Sequence, residues 1–229
     1  MTETSPRKLT IDIWSDVMCP WCLVGHGQLA KGLKELEGEI EAEIRWRPFE
    51  LNPDMPAEGE EQGAHLRKKY RRTEEEGKAM RDRMRQIAES AGVSLDYKGE
   101  DPSQPAMMRN TFLAHKLLAH VLDSYGGDKQ TELKLALFEA HFNQRRDVGD
   151  REVLLGIAED HGVLRGAAER ALDDEDLGQR VRAEEQAAYE MNITGVPAMV
   201  IEGKFLIPGA QEPATYVNAL RRVAERFPA

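Results

Sequence analysis

Leu9-Thr10-Ile11-Asp12-Ile13-Trp14, then Ser15-Asp16-Val17-Met18, then Cys19-Pro20-Trp21-Cys22 is the stretch on which the fold turns. Its first six residues alternate apolar and polar, with β-branched side chains, and predict a half-buried strand. After the cysteines, Leu23, Val24, Leu29, Leu33 and Leu36 recur at helical spacing until Gly38 stops them. The two cysteines therefore lie between a strand and a helix. Pro20 falls in the first helical turn, where a missing N–H costs nothing.

A thiol at a helix N-terminus meets free backbone N–H groups and the positive end of the helix dipole, and both favour the thiolate. On this reading Cys19 is the more acidic, attacking sulfur. Cys22, one turn further in, resolves the mixed disulfide. Asp16 would oppose a thiolate at Cys19 if its side chain came close. The pair can also be read as half of a zinc site, with His26 as a third ligand. Structural zinc usually takes four protein ligands, and the chain has no other cysteine.

Outward from this stretch, residues 40–49 alternate again and predict a second strand that Pro48 ends; a proline-rich connector follows. From about residue 62 to 178 the pattern is helical. Leu66, Tyr70, Met80, Met84, Ile87 and Ala91 form one apolar stripe, which Thr73 and Glu76 split as a capping box. Further helices are expected over 106–125, 133–142, 153–161 (capped by Asp150) and 164–172, and a last one runs to Asn192. Residues 198–201 and 204–207 read as short strands joined by Glu202-Gly203, and residues 213–227 as a closing helix. Strands flanking a helical block predict an α/β fold interrupted by a large α-helical insertion. The expected boundaries are 8–58 and 179–229 for the two halves of the α/β domain and 59–178 for the insertion.

The chain has 229 residues and a formal charge of −10, with 41% hydrophobic and 31% charged residues. That composition is globular rather than disordered. The charge opposes non-specific binding to nucleic acid or to an anionic membrane. Residues 1–10 carry no apolar stretch of signal-peptide length, so a cytoplasmic location is expected. Cysteines there are usually reduced, which favours a catalytic or sensing pair over a structural staple.

The strand, Ser15-Asp16, Cys19-Pro-Trp-Cys22 and the following helix resemble the thioredoxin superfamily, specifically its DsbA-like branch. Thr194-Gly-Val-Pro197 before a short strand resembles that superfamily's cis-proline loop. Arg47-Pro-Phe-Glu-Leu-Asn-Pro53, Asn110-Thr111 with Ala114-His115, Asp147-Val-Gly-Asp150 and Gly209-Ala-Gln211 are similar to stretches of the FrnE-like cytosolic group. The resemblance implies a thioredoxin-like fold with the helical block inserted and a cis Val196–Pro197 peptide beside Cys19. It implies thiol–disulfide exchange catalysed by Cys19 and Cys22, with Pro20, Trp21, Val196 and Pro197 contacting substrate. No metal or bound cofactor is implied, and glutathione or another thiol protein would serve as redox partner. Substrates would be proteins or small molecules carrying a disulfide or dithiol.

Two other functions compete. Kappa-class glutathione transferases and hydroxychromene-carboxylate isomerases also carry an inserted helical block, but they present a serine or a single nucleophile where this chain has two cysteines. The other is a non-catalytic metal-binding or redox-sensing protein that uses Cys19, Cys22 and His26. Among the remaining residues, His115 reads as a core histidine and Glu50 and Asn52 as loop caps or site residues. The charges of residues 67–72 read as a solvated helix face, and Met80, Met84, Met107 and Met108 as helical core.

Overall fold

The computed structural model describes residues 5–71 and 73–226. Strand β1 (Arg7–Ser15) leads through the cysteine loop into helix α1 (Pro20–Glu35), which returns the chain to β2 (Ile40–Pro48), parallel to β1. A short strand β3 (Glu60–Glu61) precedes α2 (Gln62–Tyr70) and α3 (Glu74–Ala91). Strand β4 (Met107–Met108) follows, then α4 (Phe112–Tyr125) and α5 (Gly127–Phe138). A π-helical turn (Glu139–Asn143) extends α5. Helices α6 (Arg151–Asp160), α7 (Arg165–Asp173) and α8 (Glu175–Glu190) complete the helical block. The hairpin β5 (Ala198–Ile201) and β6 (Phe205–Pro208) and helix α9 (Pro213–Arg226) close the chain.

The main sheet has the order β2-β1-β5-β6, with β5 antiparallel to both β1 and β6. Alternation in β1 buries Leu9, Ile11 and Ile13 on the face covered by α1 and α9, where they meet Leu29, Leu36, Tyr216 and Leu220. Helix α1 approaches its neighbours through glycines. A Cβ on Gly27 would lie 2.7 Å from the Ala91 carbonyl oxygen, and one on Gly32 3.2 Å from that of Pro213. The β5–β6 turn places Glu202 and Gly203 at φ 53° and 64°, the left-handed pair of a tight hairpin.

β2 is an edge strand of the sheet, and α4 and α5 cover it. Gln130 of α5 is fully buried, and its amide accepts from the Trp46 N–H and donates to the Trp46 and Leu118 carbonyls. Peptide groups of an edge strand need such partners once water is excluded. A second apolar core fills the helical block, built on Leu117, Val121, Leu133, Leu137, Leu154 and Ala158. Val17 and Met18 of the cysteine loop belong to this core, while Cys19 and Cys22 belong to the sheet core. The loop is thus clamped between the two halves.

Several expectations need correction. Residues 107–108 pair with β3 rather than opening a helix, so α4 starts at Phe112, two residues after Asn110, whose side chain turns the chain away by accepting from the Phe112 N–H. Helix α5 begins earlier than expected and ends in the π-turn. The stripe on α2 and α3 is barely covered: of its members only Ala91 is buried, and Tyr70 and Met80 are exposed. α2 buries no residue at all. The capping box at Thr73 and Glu76 and the Asp150 cap are present as read. Met1, Arg72 and Phe227, each part of a stretch read above, lie outside the described residues.

Candidate active site

Cys19 occupies the N-cap position of α1 and Pro20 its first turn, so the dithiol spans the helix N-terminus. Both cysteines are free thiols and both are buried, Cys22 completely. Trp21 between them is 40% exposed. The Val196–Pro197 peptide is cis, and the Cys19 Sγ donates to the Val196 carbonyl oxygen over 3.6 Å. The Gly209 N–H donates to the Pro197 carbonyl at 2.8 Å, which braces this loop from behind. Pro197 also packs on α1 where Gly25 leaves room; a Cβ there would stand 3.1 Å from the proline Cγ.

Beneath the cysteines lies a group of buried charges. Asp16 Oδ1 accepts from the Met18 N–H at 3.2 Å and Oδ2 from the Leu51 N–H at 2.8 Å. Burial nevertheless pushes the Asp16 carboxyl above its ordinary range. Lys134, projecting from α5, is fully buried, sits against the faces of Trp46 and Phe138 and donates to the Ser15 carbonyl at 3.5 Å. Burial lowers its pKa to about 8, against the opposing pull of Cys22 and Asp16. Lys134 and His115 line a cavity of about 80 Å³ with Arg47, Arg180 and Glu184.

The two thiols share a hydrogen bond, and the acidities divide differently from the sequence-based expectation. The bond to Cys22 and burial together push the Cys19 thiol well up. Burial pushes the Cys22 thiol up as well. The bonds from Cys19 and Ser15 and the Lys134 charge outweigh that and leave it below the ordinary thiol value. Helix position alone predicts the opposite order; the hydrogen bonds that Cys22 receives from Cys19 and Ser15, with the buried lysine adding to them, reverse it. Nothing in the local sequence around Lys134 distinguishes it from any other helical lysine.

Other candidates fall into place. His26 lies against Trp46 with ring centroids 5.5 Å apart, and burial lowers its pKa to about 4. Among the described residues no group of three His, Cys, Asp or Glu side chains is placed to hold a metal ion. His115 is buried and held neutral by burial. Asn52 accepts from Lys69 at 2.7 Å and meets His65 at 3.2 Å, a loop-bracing role. Glu50 is buried, its side chain 2% exposed, and pairs with Arg182 of α8.

The profile of the DSBA-like thioredoxin domain family matches residues 10–221. The chain belongs to this family. A probable DsbA oxidoreductase of Streptomyces coelicolor shares 28% identity, with a TM-score of 0.82 over 96% of this chain and 92% of its own. YwbO of Bacillus subtilis, an uncharacterized protein, is 28% identical over 211 residues, 92% of this chain and 94% of its own. At lower identity the family fold is shared with a 2-hydroxychromene-2-carboxylate isomerase (16% identity, TM-score 0.66, 95% and 97% covered). It is shared too with the cytosolic disulfide reductase DsbM of Pseudomonas aeruginosa, in a structure with GSH (18% identity, TM-score 0.61, 96% and 100% covered). Among the described residues of this family member, no helix is long and apolar enough to cross a membrane.

Proposed function

We propose that this protein is a thiol–disulfide oxidoreductase whose reacting groups are Cys19 and Cys22. The observation that carries the reading is a free dithiol at a helix N-terminus, with Lys134 buried beside Cys22 and the Val196 carbonyl beside Cys19. Starting from the dithiol, the Cys19 sulfur attacks a client disulfide. A Cys19–client bond forms, the client bond breaks, and the departing client sulfur takes the Cys19 proton. Cys22, kept acidic by Lys134, then attacks the Cys19 sulfur as a thiolate. The Cys19–Cys22 disulfide forms and the second client sulfur leaves, so two electrons have passed to the client. The same steps in reverse oxidise a client dithiol, with Cys22 as the leaving group.

Trp21 and Pro20 form the outer contact surface for the client, and the backbone of Val196 and Pro197 lies where an extended client segment can pair as an added strand. Glutathione serves as the redox partner, in keeping with the likeness to a disulfide reductase solved with GSH. Its site of action is the cytosol, where a free thiol pair stays reduced until it reacts. Clients are proteins or small molecules carrying a disulfide or dithiol. A net charge of −10 disfavours nucleic acid or an anionic membrane as partner.

The test is equilibration of the purified chain in glutathione buffers, read by thiol alkylation and mass spectrometry. A reversible two-electron Cys19–Cys22 couple is expected. Cys19→Ser should abolish exchange, and Cys22→Ser should accumulate a mixed disulfide. No disulfide at any poise, or full exchange in the Cys19 variant, overturns the proposal. A Cys22→Ser protein that keeps full glutathione-dependent turnover would instead move the assignment to the isomerase type.

A further inference from the structure

Glu50 and Glu185 make a buried acidic pair that the exchange steps do not use. Arg182 Nη1 donates to Glu50 Oε2 and, at 2.9 Å, to Glu185 Oε2. Its guanidinium stacks on Phe112, 3.9 Å from the ring centroid. The other oxygen of each carboxyl, Glu50 Oε1 and Glu185 Oε1, is buried and meets no donor among the described residues. Both carboxyls meet the same Arg182 nitrogen, so their charges repel at close range, and a proton on one of them relieves that repulsion.

The surrounding charges give the same answer. Asp16 faces the pair from the cysteine loop and Arg182 from α8; behind them, His115 of α4 lies beside Arg182 and Lys134 of α5 beside Asp16. His115 is neutral. Three ionised carboxyls would then face two cations. Two backbone N–H groups donate to Asp16, whereas the Glu50–Glu185 pair has only one arginine nitrogen, so the balancing proton is assigned to that pair.

The pair also connects the two walls of the active site. Glu50 precedes Leu51, whose N–H is held by Asp16, three residues before Cys19. Glu185 lies on α8, whose Tyr189 rests on Phe49 at 5.5 Å and whose Ala188 carbonyl accepts from the Ile193 N–H at 2.9 Å. Ile193 leads directly into the Val196–Pro197 loop.

We propose that Glu50, Glu185 and Arg182 form a proton-dependent brace that holds the Val196–Pro197 loop against Cys19 and releases it when the shared proton is lost. Burial raises the Glu50 pKa to about 7, which places the release near neutrality. These are positioning residues, and their role in exchange rests on the oxidoreductase reading above.

The test is amide hydrogen exchange of residues 193–197 at about pH 6 and about pH 8, corrected for the intrinsic pH dependence of exchange. In the natural protein, protection should fall about fivefold between the two, the effect of roughly 1 kcal/mol. Glu50→Gln and Glu185→Gln keep a neutral donor in the pair, and each should show no such fall. Carboxyl-labelled NMR of the natural protein should show one proton leaving the pair in the same range. Equal pH dependence in the natural protein and both variants, or a pair already fully ionised at about pH 6, overturns the brace. The rate at which a Cys22→Ser chain forms a mixed disulfide with glutathione disulfide rises with pH as Cys19 ionises; over the same range it should rise about fivefold less than in a chain that also carries Glu50→Gln. Absence of any mixed disulfide would count against the oxidoreductase reading, while the exchange result would still decide the brace.

Discussion

The Cys19 sulfur faces the carbonyl oxygen of Val196 at 3.6 Å, although 177 positions separate the two residues. This contact brings together the end of β1, the start of α1 and the loop entering β5. Under the proposed exchange mechanism a client sulfur and its flanking backbone would meet the protein here, so changes that shift either side should act on exchange.

Gly25 controls that spacing from α1. An added Cβ would meet Pro197 Cγ at 3.1 Å, with Ala210 Cβ and Met199 Cε both at 3.5 Å. Gly25→Ala should push the loop off the helix, slow mixed-disulfide formation and cost about 1–2 kcal/mol, the usual penalty for overpacking. Urea unfolding and the rate of reaction with glutathione disulfide measure the two effects. An unchanged rate with a lowered midpoint would confine the glycine to packing.

Lys134 is the cation that lowers the Cys22 thiol. Lys134→Met should raise the Cys22 pKa and slow resolution of the Cys19 mixed disulfide. The first attack should be less affected. Because the substitution leaves the buried Asp16 carboxyl without its nearby cation, stability should fall, by about 3 kcal/mol or less since Asp16 keeps its two backbone donors. Thiolate absorbance against pH, in a Cys19→Ser background, reads the shift. A Cys22 titration that does not move would remove the lysine from the mechanism.

Glu50 makes stability depend on pH. Its folded pKa of about 7 exceeds the ordinary value of 4.5, so the native state binds the extra proton between those limits. Its contribution is fully present below about pH 4.5 and is lost as pH rises to about 7. Glu50→Gln should therefore gain stability relative to the natural protein above neutrality and show little difference at low pH. Denaturant midpoints at the two extremes test this, and a gain confined to acid would contradict the sign.

Gln130 carries three hydrogen bonds to the backbone of β2 and α4. Gln130→Ala leaves the Trp46 N–H and two carbonyls buried without partners, at a cost of about 2–4 kcal/mol. Thermal unfolding should show a clear drop. A fall below about 0.5 kcal/mol would mean that water replaces the amide there.

What was legible locally came out as read. Thr73 with Glu76 and Asp150 with Val153 are capping bonds closed within four residues, so short sequence contains both partners. Glu202-Gly203 is likewise a local turn. Residues 107–108 follow a helical pattern but form a strand, because their pairing partners, Glu60 and Glu61, lie far away in the chain. Met80 looked like core because it falls on an apolar stripe, but α2 and α3 find too little surface to cover it. Lys134 and Glu185 carry no local mark at all. Each becomes special only through burial beside groups from other helices and loops.

The sequence by itself determined the placing of a cysteine pair at a strand-to-helix junction, the inserted run of helices and the late Thr-Gly-Val-Pro loop. These follow from periodicity, caps and order along the chain, which act over a few residues. The acidity order of the thiols, the charged group beneath them and the carboxyl pair behind the loop were decided only by tertiary structure. Desolvation and Coulomb interactions depend on burial and on distances between residues remote in sequence, and those quantities exist only once the two cores have packed around the loop.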